Sequence, residues 1–279
     1  MREEVREDGI YYQQFDSIVD LVDTVKSRPA TFKAEVQKAG GGLTMQWSGV
    51  DSFPAAYKLA LDGWEEHTPE ILDVASDAVE AVFRTAELPT FVAEHGVSGC
   101  EVDVARYLDG TPENMIDYPL RQVVRAGRVI TLCASVDGNG GFEARAFVQR
   151  GAAVTALAIA LSQLGYATEF WVDWTTKMGG RTVAQQRVLI KAPQDSVDVG
   201  AMMYAFAHPS VLRIFGFTEI LAIPDYKSRI GWGYGGAADP IEDLPEGTIY
   251  LPALVDSSSV PNAPEQVKSW LTDLGIITD

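Results

Sequence analysis

Cys133, Ser135, Asp137 and Asn139 fall at every second position where a long apolar stretch gives way to a glycine run. Hydroxyl and carboxylate oxygens suit a hard divalent cation. With Asp256 from a late polar loop, such a cation would support hydrolysis or phosphoryl transfer. A thiol is a poor ligand for magnesium, so the set is incomplete as a metal centre. No catalytic residue and no metal ligand is assigned, no cofactor is expected, and magnesium would bind weakly at most. Ser135, Asp137, Asn139 and Asp256 are read instead as ligand- or partner-binding positions. A second group, Lys227, Arg229, Trp232 and Tyr234, lies in a segment with Gly231, Gly233, Gly235 and Gly236. Cations and aromatics on a glycine-dense segment suit a recognition loop, unless the rings fold back onto the core. His95 and His208 are single histidines that could act as bases, although a lone histidine is more often structural.

The elements that must position these groups are legible in the pattern. Arg128–Asp137 is nearly uncharged and β-branched, which suits a buried strand. Gly138-Asn139-Gly140-Gly141 breaks it, and Phe142–Leu164 reads as a helix, apolar on nearly every face of its second half and stopped by Gly165. Thr168–Thr175 alternates as a strand does, completing a β-α-β unit with a right-handed connection. The loop in question then sits at the carboxyl end of the first strand, where α/β proteins bind ligands. Met178–Arg181 turns the chain into a hairpin with Thr182–Lys191. Asp195-Ser196 is expected to cap a helix through Phe206, Thr218–Ile223 to add a short strand, Thr248–Pro252 a late strand, and Pro264–Leu274 a terminal helix. Before Pro89 the texture is helical: Phe15–Arg28, Phe53–Ala60 and Ile71–Phe83 carry apolar stripes, while Met1–Asp8 is charged and expected to be loose. Thr90–Val97 and Leu120–Val124 are strand candidates, the latter beside the central strand. Two regions follow, a helical one over 1–88 and an α/β one over 89–279, with helices expected on both faces of the sheet.

Length and composition bound the rest. The chain has 279 residues, 47% of them hydrophobic, enough for a sizeable core. A net charge of −17 argues against broad binding to nucleic acid or anionic membranes. Two cysteines and three histidines are too few for a zinc framework. No signal peptide pattern or spanning segment is visible, so a cytoplasmic protein is expected.

Two stretches resemble an uncharacterised family encoded by actinobacterial phages and plasmids. One is Trp47-x-Gly49 with Ala55–Trp64. The other runs from Val102 through Tyr107–Asp117 to Arg150–Leu157. The resemblance implies a mobile-element origin and no particular activity. Cys133-Ala134-Ser135-Val136-Asp137 is also similar to the Asp-x-Ser-x-Ser metal pattern of von Willebrand factor A domains, with Cys in place of the leading Asp and Asp in place of the last Ser. That likeness implies an α/β, Rossmann-like layered sheet of the von Willebrand A type behind an N-terminal helical region. The function that fits is a non-enzymatic binding or assembly module of a phage or mobile element, acting through host or phage protein partners, its oligomeric state left open. A metal-dependent hydrolase or phosphoryl-transfer enzyme is the alternative. An acidic nucleic-acid mimic that blocks a host DNA-binding protein is the second.

Overall fold

The computed structural model describes residues 1–39, 45–85, 94–117, 129–138, 144–231, 233–237, 244, 247–253 and 263–276. In chain order the elements are β1 (Arg2–Val5), β2 (Tyr11–Phe15), α1 (Ile18–Ser27), α2 (Ala30–Ala39), α3 (Phe53–Asp62) and α4 (Thr68–Thr85). A small unit follows, of β3 (Glu94–Gly96), β4 (Glu101–Val102), α5 (Val104–Leu108) and β5 (Met115–Asp117). Then come β6 (Val129–Ser135), α6 (Ala144–Gln163), β7 (Ala167–Met178), β8 (Arg181–Lys191) and α7 (Val199–Ala207). A π-helical turn over Val211–Gly216 leads to α8 (Phe217–Ile220), α9 (Tyr226–Arg229), β9 (Gly236–Ala237), β10 (Ile249–Leu251) and α10 (Ala263–Asp273).

The main sheet is mixed, in the order β1-β2-β8-β7-β6-β10 with β9 on the far end of β7; β3, β5 and β4 form a separate small sheet. β6 pairs in parallel with β7 on one side and β10 on the other, and α6 is the crossover between β6 and β7. This is the β-α-β unit that the apolar run and its glycine stop predict. The β7–β8 hairpin turns at Gly179 and Gly180, both at positive φ as a tight turn requires.

α6 is buried almost throughout its second half and packs against α4, α7 and α10. It meets α7 at Gly151, where a Cβ would stand 2.4 Å from the Cβ of Ala207. Phe206 of α7 meets Phe170 of β7 edge-on at 6.3 Å. Among the described residues α1, α6 and α7 pack on the sheet, and α8 reaches it through the bond from Gln13 to Glu219.

The first fifteen residues are corrected by the structure. Met1–Asp8 is not loose: β1 and β2 form a hairpin, and β2 adds in parallel to β8. One apolar cluster includes Tyr11, Leu21 and Phe53 together with Leu157 and Leu271. Asp198, not Asp195-Ser196, caps α7 by accepting from the Ala201 amide at 2.9 Å. The strand expected over Thr218–Ile223 is helix as far as Ile220 and then turn: Thr218 Oγ1 donates back to the Ile214 carbonyl at 2.6 Å, continuing the preceding turn. Leu120–Val124 lies outside the described residues. Among the described residues no helix is long and apolar enough to cross a membrane.

Candidate functional site

Side chains alternate along a strand, and at the end of β6 that alternation sorts chemistry to two sides. Ser135 and Asp137 go one way, into a buried polar nest. The Ser135 Oγ accepts from the Asp137 amide at 3.2 Å, and Asp137 Oδ2 accepts from the Thr175 amide at 2.8 Å. Asp173 is the cross-strand partner of Ser135 and has no exposure. It accepts from Gln185 Nε2 at 3.2 Å and from the Tyr250 hydroxyl at 3.1 Å. Burial disfavours the charged carboxylate, pushing Asp137 up to about 8 and Asp173 up to about 6. The bonds from Gln185 and Tyr250 and the charges of Arg150 and Arg187 hold Asp173 lower. Cys133 is buried as well, and burial pushes its thiol up. This nest ties β6, β7, β8 and β10 together. Its carboxylates are covered and already engaged.

Val136 and Gly138 go the other way and border a pocket of about 660 Å³. Phe147 lies so close to Gly138 that a Cβ there would stand 2.2 Å from its ring. The remaining walls come from Trp47 and Gly49, from Leu59 and Trp64 around the end of α3, from Phe206 to Pro209 around the end of α7, and from Leu212, Arg213 and Phe217. The walls are mostly apolar, with three polar side chains: Glu66, His208 and Arg213.

His208 is fixed by its neighbours. The Ser210 amide donates to its Nδ1 at 3.2 Å, so that nitrogen carries a lone pair and the proton sits on Nε2. Ser210 Oγ lies 2.9 Å from the same Nδ1 and 2.9 Å from the Tyr204 hydroxyl. Burial pulls His208 down to about 4 against the opposing charge of Glu66, so at neutral pH it is an uncharged Nε2–H donor. Its Nε2 lies 3.1 Å from where a Cβ on Gly49 would be. The Trp64 ring stands edge-on to His208 at 5.1 Å, and its indole N–H donates to Glu66 at 3.1 Å. Arg213 sits in the π-helical turn, a distortion common at functional sites. Its guanidinium donates to the Trp47 carbonyl and lies 5.3 Å over the Trp47 ring.

The residues expected from sequence divide among several places. Ser135 and Asp137 lie together, in the nest rather than the pocket. Tyr234 is folded back: its ring stacks on Phe217, a pocket wall, with centroids 3.8 Å apart. Lys227 is exposed on α9, whereas Arg229 turns inward to the carbonyls of Gly9 and Val183. Asn139, Trp232 and Asp256 lie outside the described residues. Among the described residues no group of three or more His, Cys, Asp or Glu is placed to hold a metal ion. Trp47, Trp64, Phe147 and Arg213 carried no signal as a set, because four separate segments supply them.

The family described as Domain of unknown function (DUF7192) matches residues 3–278, nearly the whole chain. No curated protein and no solved structure matches.

Proposed function

The chain belongs to the DUF7192 family, and we propose that it is a binding module whose pocket at the carboxyl end of β6 takes up a small aromatic or apolar ligand. The observation that carries this is the pocket itself: largely apolar walls with a few polar groups, beside the end of a parallel strand. A hydrolytic reading has less support. Among the described residues the serine that meets His208 is Ser210, and it is fully buried beneath the ring. That contact orients the imidazole and keeps Ser210 away from the pocket.

Within the same proposal the core is von Willebrand A-like and the protein serves a phage or other mobile element in the host cytoplasm through protein partners. The small sheet unit supports a protein partner, since Val104, Tyr107 and Leu108 are 63%, 63% and 78% exposed there.

The test is fluorescence titration with N-phenyl-1-naphthylamine, a neutral apolar probe. Saturable binding is expected, and Leu212→Trp, which fills the pocket, should abolish it with the circular dichroism unchanged. Absence of saturable binding, or equal binding by the folded variant, would overturn the reading.

A further inference from the structure

We infer that the ligand of this pocket is an aromatic monoanion, a flat ring system bearing one carboxylate, held by Arg213 and His208. This rests on the pocket reading above and adds the ligand's charge. Two other half-buried guanidiniums in the protein are matched by side-chain acceptors, while Arg229 rests on backbone carbonyls. Arg28 pairs with Glu219, and Arg187 places two donors on Gln14. Arg213 is half-buried too, yet among the described residues it meets only the Trp47 carbonyl and no carboxylate. The guanidinium lines the pocket, where its remaining donors can meet an entering carboxylate. The planar guanidinium, steadied over the Trp47 ring, suits two-point recognition of a carboxylate.

The second donor is the His208 Nε2–H, whose tautomer is set by Ser210 from behind. The segment from Trp47 to Gly49 spans both donors, since Trp47 takes the bond from Arg213 and Gly49 lies against His208. The Trp47 and Trp64 rings supply flat apolar surface for the ligand body. Glu66, engaged by Trp64, adds a negative charge to the same pocket and disfavours a second anionic group on the ligand. Because the whole chain carries −17, preference for an anion must come from a local cause.

The experiment displaces N-phenyl-1-naphthylamine from the full chain with 2-naphthoate and with its neutral analogue 2-naphthamide. Charge-assisted bonds should make the naphthoate better by about tenfold or more. Arg213→Met should keep the neutral probe and level the two competitors, while Arg213→Lys should keep part of the preference. Equal displacement in the natural protein, or a preference that survives in Arg213→Met, would overturn the inference. If the neutral probe does not bind, calorimetry with 2-naphthoate decides. Binding lost in Arg213→Met supports the anion site even so, and no binding, or binding that survives in Arg213→Met, removes it as well.

Discussion

Arg28, just after α1, grips Glu219 of α8 with two hydrogen bonds, Nε to Oε1 at 3.0 Å and Nη2 to Oε2 at 2.6 Å. Glu219 has no exposure, and it also accepts from Gln13 Nε2 of β2 at 3.0 Å. Gln13 in turn accepts from Gln186 of β8 at 2.7 Å. A charged chain thus runs from the sheet through α8 to the first helix. Removing the cation leaves a buried carboxylate without its counter-charge, which typically costs about 3 kcal/mol or more. Arg28→Ala should therefore lose about 3 kcal/mol in urea unfolding at neutral pH, with little change in m-value. A loss under 1 kcal/mol would show that the pair is incidental.

Gly151 and Ala207 set the distance between α6 and α7. A Cβ at 151 would stand 2.4 Å from the Ala207 Cβ and 3.0 Å from its Cα, so even one methyl must push the helices apart. Overpacking of this kind costs about 1–3 kcal/mol. Gly151→Ala should lower the melting temperature despite the better helix propensity of alanine. Ala207→Gly in the same chain should restore part of the loss, and failure of that rescue would place the strain elsewhere.

Much of this was legible in the sequence, and what was not has physical reasons. The β6–α6–β7 unit is read directly because burial on all sides leaves an apolar signature that glycines punctuate. The hairpin of β1 and β2 is hidden by its charges, yet an edge strand tolerates charge on an exposed face. Asp8-Gly9 was the available signal, a turn dipeptide before Tyr11 and Tyr12; Gly9 has φ 82° and Asp8 accepts from the Ile10 amide. Tyr12 also receives the guanidiniums of Arg6 and Arg187 at 4.1 and 5.0 Å, cover that no linear pattern shows. The pocket escaped because chain folding alone brings Trp47, Trp64, Phe147 and Arg213 together. Ser135 and Asp137 were found, but alternation at the strand end turns them away from the cavity.

Stability should fall as pH rises from 6.5 to 8. In the folded chain Asp137 keeps its proton up to about 8, whereas an unfolded aspartate releases it near 4. Over that interval the native state holds more protons, so the contribution of Asp137 is full at low pH and is lost as pH climbs through its folded value. Below 6.5 His208 opposes this, because its folded value near 4 makes the unfolded state the better proton binder there. Between 6.5 and 8 the carboxyl dominates, with a slope of up to about 1.4 kcal/mol per pH unit. Asp137→Asn can still accept from the Thr175 amide and should flatten the profile. Parallel profiles for the two proteins in denaturant unfolding would refute the assignment.

Magnesium offers the sharpest contrast between binding and catalysis. In a von Willebrand A metal site the leading ligand would stand where Cys133 stands, and here that position holds a buried thiol between Trp171 and Tyr250 on the neighbouring strands. Asp137 Oδ2 already takes the Thr175 amide, and Asp173 takes Gln185 and Tyr250. The buried Arg150 places positive charge near Asp173, opposing a cation there. Magnesium demands near-octahedral oxygen ligation and gives up water reluctantly, so one or two engaged carboxylates hold it weakly. A ligand far below its dissociation constant adds almost nothing to stability. The melting temperature should therefore not move with submillimolar magnesium or manganese, and calorimetry should show no micromolar isotherm. A micromolar isotherm that disappears in Asp137→Ala would instead mean that the nest opens to admit a cation, and would favour the metal-dependent enzyme over the binding module.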